Sequence, residues 1–103
     1  MSFRRAARTD ANQPEIVECF RSLGWSVLIV SQLKNCCDII ISKNGRTVAI
    51  EIKDGKKPKS QRKLTEGELA FKNSWQGEYA IIESVDEAIE LNQSSEGLRS
   101  EGS

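Results

Sequence analysis

Asn44-Gly45 lies between two β-rich runs, DIIIS (Asp38–Ser42) and TVAIEIK (Thr47–Lys53), and constrains the chain more tightly than any other short feature. A two-residue hairpin loop needs positive φ at both central positions, which Asn and Gly tolerate. The two runs therefore pair antiparallel. Lys43 faces Arg46, and counting outward sets Ile41 against Val48, Ile39 against Ile50, and Asp38 against Glu51. Side chains alternate across a strand. One face is thus apolar, and the other carries Asp38, Glu51 and Lys53 at one end, with Ile40 and Ala49 beside them.

Facing Cβ atoms lie about 5 Å apart. Two carboxylates at that distance repel by about 3 kcal/mol at an effective dielectric near 20. A purely structural hairpin avoids such a pair or places a cation between its members. Two hard oxygen ligands suit Mg²⁺, with the Ile52 backbone carbonyl as a third donor. A lysine beside such an ion can orient water or stabilise charge on a phosphate. The competing reading is a salt-bridged edge strand, because Glu-x-Lys alone is a common surface pattern.

The rest of the chain gives the hairpin its setting. A helix is expected from Asn12 or Gln13, with Pro14 at its first position, an apolar stripe of Ile16, Val17, Phe20 and Leu23, and Gly24 as a stop. Trp25–Ser31 reads as a strand. Thr65 and Glu68 have capping-box spacing ahead of a helix through Phe71 and Trp75, and Glu78–Glu83 reads as a fourth strand. Ser84 and Glu87 open a short last helix. The expected order is α-β-β-β-α-β-α, a single α/β domain over residues 11–91 with a mixed four-stranded sheet. Residues 1–10 read as a basic flexible arm and 92–103 as a polar disordered tail.

The 103 residues carry no net charge, but the charge is segregated. Between Lys43 and Lys63 eight bases face only two acids, and Arg4, Arg5 and Arg8 form a second basic cluster. A basic face is the footprint of a phosphate-rich partner, although a charge run alone is equally an ordinary solvated surface. Three cysteines without a histidine fall short of a structural zinc site and read as small hydrophobes in a reducing, cytoplasmic setting. No apolar run is long enough to span a membrane.

Asp38, twelve residues, then Glu51-Ile52-Lys53 resembles the core motif of the PD-(D/E)XK nuclease superfamily, and the element order resembles its restriction-endonuclease-like core. The chain is most similar to small phage VRR-NUC domains and Holliday junction resolvase-like proteins, over roughly Arg8 to Leu91. It departs from the superfamily's name at Cys37, where a proline stands before the aspartate. The resemblance implies Asp38 and Glu51 as metal ligands, Lys53 as the catalytic lysine, and Glu15 as a helix-one acid supporting the metal, through water. Glu68 matches a position where VRR-NUC domains often carry a glutamine.

The expected function is a Mg²⁺- or Mn²⁺-dependent endodeoxyribonuclease, homodimeric, acting on four-way junction or flap DNA, in the cytoplasm of a bacterial host if phage-encoded. Arg4, Arg5, Arg8, Lys56, Lys57, Lys59, Gln61, Arg62 and Lys63 are the expected DNA contacts. The alternative is a nuclease-fold DNA-binding module that does not cut.

Overall fold

A computed structural model describes residues 10–102, with side chains as far as Ser94. Helix α1 (Gln13–Ser22) leads into strand β1 (Ser26–Ile29). Strands β2 (Ile39–Lys43) and β3 (Arg46–Ile52) follow, then a 3₁₀ turn at Lys59–Gln61. Helix α2 (Glu66–Ser74), strand β4 (Glu78–Ile82) and helix α3 (Val85–Gly102) complete the chain. The sheet order is β1-β2-β3-β4. The first two pairings are antiparallel and β3-β4 is parallel, so the sheet is mixed, as expected.

The hairpin forms as expected. Asn44 and Gly45 have φ of 53° and 86°, the left-handed values that the loop demands. Lys43 faces Arg46, Ile41 faces Val48 and Ile39 faces Ile50. Arg46 also makes a bidentate pair with Glu78, which ties the hairpin base to β4.

The sheet separates two apolar layers. On one side α1 contributes Ile16, Val17 and Phe20. They pack with Trp25, Ile39, Ile41, Val48, Ile50, Ile52, Ile82 and Ala88 in the main core. The other side is smaller: Val30, Cys37 and Ala49 lie under Ile40, Phe71, Trp75 and Tyr79. Phe71 of α2 and Trp75, just past its end, stack there at 5.3 Å, yet no residue of α2 is fully buried. The odd-even alternation of β3 dictates this split, sending Val48, Ile50 and Ile52 one way and Ala49 and Glu51 the other.

Two expectations are corrected. The last helix is not short: it runs from Val85 to Gly102, through the stretch read as a tail. Asn92, placed in that tail, is buried and accepts from Trp25 Nε1 at 3.0 Å and from Lys43 Nζ at 3.1 Å. A buried indole N–H needs an acceptor, and the helix persists far enough to supply one. The side chain of Asn12, just before α1, makes no cap hydrogen bond. Its Nδ2 instead donates to the carbonyls of Lys53 and Glu83, joining the start of α1 to the ends of β3 and β4.

Candidate active site

Strand β3 delivers Glu51 and, one residue beyond its end, Lys53 to the α2 side of the sheet. Both are buried, with 3% and 8% exposure. Asp38, immediately before β2, meets them there, but not by straight opposition. The β2–β3 ladder ends at Ile39↔Ile50, and the Asp38 N–H donates to the Ile50 carbonyl at 3.0 Å, one residue out of register. Towards β1 the register holds, with Val30 N–H donating to Asp38 O at 2.9 Å. This step, of the kind a bulge makes, re-aims the side chain. Asp38 Oδ2 accepts from the Ile52 N–H at 2.7 Å. The expected direct pairing of Asp38 with Glu51 is thus corrected, while both residues still line the same cleft.

Glu68 arrives from the start of α2. Thr65 and Glu68 form the full capping box, each side chain bonding the other's backbone N–H. The same Glu68 Oε1 accepts from Lys53 Nζ at 2.8 Å. The capping residue is therefore also a cleft residue, a double role that capping-box spacing alone does not reveal. These side chains share a cleft of ≈ 620 Å³ with Asp10, Asn35, Cys36 and Lys57.

The electrostatics are dominated by excess acid. Burial, then Asp38 and Glu68, pushes the Glu51 carboxyl up to about 10, so it is protonated at neutral pH. Burial also raises Asp38, against the opposing Ile52 N–H. Burial draws the Lys53 ammonium down, but Glu68 and Glu51 outweigh it and the pKa ends raised. Burial pushes Glu68 up, while Lys53 and the Thr65 N–H bring it below its ordinary value. Lys53 and Glu68 thus form an ionic pair, and among the described residues neither Asp38 nor Glu51 has a salt bridge. Cys37, buried below the cleft, has its thiol pushed up to about 12 by burial and then Cys36, which makes it an inert hydrophobe.

An oxygen-only donor set with surplus negative charge fits a hard divalent ion such as Mg²⁺ or Mn²⁺. Asp38, Glu51 and the Ile52 carbonyl are the residues that would hold it. Among the described residues no three of His, Cys, Asp or Glu form a ready metal cage.

Several expected contacts lie elsewhere. Glu15 is exposed and lines a separate cleft with Asp54, Glu83 and Glu87, so it does not support this site. Helix phase explains it: Ile16, Val17 and Phe20 claim the inward face of α1. The acid near the start of α1 that does line the cleft is Asp10, 3.4 Å from Lys57 Nζ. Arg62 pairs with Glu83 at 2.9 Å and donates to the Lys57 carbonyl. Lys56 lines the Glu15 cleft, while Lys57 borders the site. Lys59, Gln61 and Lys63 are exposed. Arg4, Arg5 and Arg8 fall outside the described residues. Comparison with protein-family models, curated proteins and solved structures gave no match. No helix among the described residues is long and apolar enough to cross a membrane.

Proposed function

We propose that the chain is a metal-dependent DNA endonuclease with a restriction-endonuclease-like core of the PD-(D/E)XK type. The observation that carries this reading is the meeting of Asp38, Glu51, Lys53 and Glu68 in one cleft. There, Glu51 is almost wholly buried beside a second carboxyl, and neither has a salt bridge among the described residues. Such an arrangement costs stability and returns nothing to the fold, so a salt-bridged edge strand does not account for it.

Bound between Asp38, Glu51 and the Ile52 carbonyl, Mg²⁺ would supply Lewis-acid polarisation of a phosphate oxygen and acidify a water. The chain's own residues do the rest. Lys53, kept charged by Glu68, stabilises negative charge on the phosphate and orients the attacking water. Glu68 fixes the Lys53 ammonium, and the Asp38–Ile52 hydrogen bond fixes one carboxylate oxygen. Lys57, Lys59 and Lys63 draw in the backbone without reading sequence. The substrate is branched or junction DNA and the working form a homodimer. The exposed apolar residues Leu28, Ile29 and Leu33 on and after the edge strand β1 support a partner at that edge.

The test is a cleavage panel of junction, flap, nicked and linear DNA in Mg²⁺ and Mn²⁺, with wild type and Asp38→Asn. Wild type should cut and the variant should bind without cutting. If neither cuts and both bind alike, the chain is the non-cutting DNA-binding module instead.

A further inference from the structure

The smaller apolar layer holds a polar group with no evident use. Tyr79 projects from β4 under α2, its ring 6.4 Å from that of Phe71. Its hydroxyl oxygen is sealed from solvent and has no hydrogen-bond partner among the described residues. A buried unpaired hydroxyl is costly, and phenylalanine would fill the same space without that cost.

The sheet register shows where this hydroxyl belongs. Tyr79 pairs with Ala49, and Ile81 with Glu51, in the parallel β3–β4 ladder. Tyr79 and Glu51 are therefore diagonal neighbours on the same face, a spacing that an aromatic side chain can span. Of the other donors near the acids, the Ile52 N–H bonds Asp38, and Lys53 Nζ and the Thr65 N–H both bond Glu68. The Tyr79 hydroxyl is uncommitted, and Glu51 is the first of the charges that act on it.

We propose that Tyr79 is a positioning residue for Glu51, its hydroxyl donating to the Glu51 carboxylate in the metal-loaded cleft. This rests on the metal site proposed above. A ligand carboxylate is held rigidly when its second oxygen has a donor, and loss of such an outer contact weakens metal binding by about tenfold or more.

Tyr79→Phe tests this by thermal unfolding in EDTA and by calorimetric titration with Mg²⁺. In EDTA the variant should be as stable as wild type or more so. Its Mg²⁺ affinity should be lower by about tenfold, with a correspondingly smaller stabilisation by the metal. A lower melting temperature in EDTA would mean that the hydroxyl already serves the fold, and would overturn the inference. Equal Mg²⁺ affinity in the two proteins would overturn it while leaving the metal site standing. A wild type that takes up no Mg²⁺ would remove the metal site and the Tyr79 role together.

Discussion

Glu51→Gln separates what the cleft costs from what it does. In the metal-free protein at pH 7, Glu51 is protonated, its pKa pushed from 4.5 to about 10 by burial, Asp38 and Glu68. The same residue in the unfolded chain is ionised. Folding must therefore add a proton, at about 1.36 kcal/mol for each of the roughly 2.5 pH units between 4.5 and 7. That amounts to about 3 kcal/mol, whatever the folded value above 7. The glutamine amide must itself be buried among carboxyl groups, which offsets part of that gain and leaves about 1–2 kcal/mol. Glutamine keeps the shape and a donor while removing the ionisation. In EDTA at pH 7 the variant should melt about 5–10 °C above wild type.

The sign is tied to pH. A carboxyl whose pKa is higher in the folded than in the unfolded chain contributes fully below pH 4.5 and loses that contribution as pH rises through about 10. Metal-free wild type should therefore lose stability between about pH 5 and 9, and Glu51→Gln should lose much less. Mg²⁺ reverses the ranking, because only the wild type gains by binding it. Thermal unfolding by circular dichroism, with EDTA or Mg²⁺ across that pH range, reads all of this. A variant that melts lower than wild type in EDTA, or gains as much from Mg²⁺, refutes the reasoning.

Three further outcomes are expected. Lys53→Ala should cut DNA at least about 10²-fold more slowly than wild type while still binding it, as read by single-turnover cleavage beside a gel-shift titration. Asn92→Ala leaves the buried Trp25 N–H without its acceptor and should cost about 1–3 kcal/mol in urea unfolding, which a disordered tail residue would not. Leu28→Lys places a charge on the exposed edge strand and should shift the protein from dimer to monomer by light scattering, with its melting temperature unchanged in dilute solution.

Features set by local chemistry were legible in the sequence. Asn44-Gly45 announced its loop because few residues accept positive φ at both positions. Thr65 and Glu68 announced the start of α2 because the unpaired N–H groups of a helix start favour that spacing. What escaped depends on distant partners. The step out of register at Asp38 has no residue signature, since it reflects how β1, β2 and β3 compete for the same backbone groups. The burial of Asn92 is set by Trp25, 67 residues away. Glu15 lines a different cleft, as the apolar stripe of α1 implies by turning it outward. Asp10, read as the end of an arm, lines the cleft because the chain enters α1 from that side.

The lightly buried helix α2 has a kinetic consequence. It grips the sheet through half-buried rings and the Glu68–Lys53 pair, so it should be the first element to open, well below the cost of global unfolding. Its amides should exchange with solvent deuterium faster than those of β3. Glu68 departs with the helix at each opening, which releases the Lys53 ammonium while Asp38 and Glu51 stay fixed to the sheet. The lysine is thereby set free by fluctuation of one small layer, on a clock separate from that of the main core.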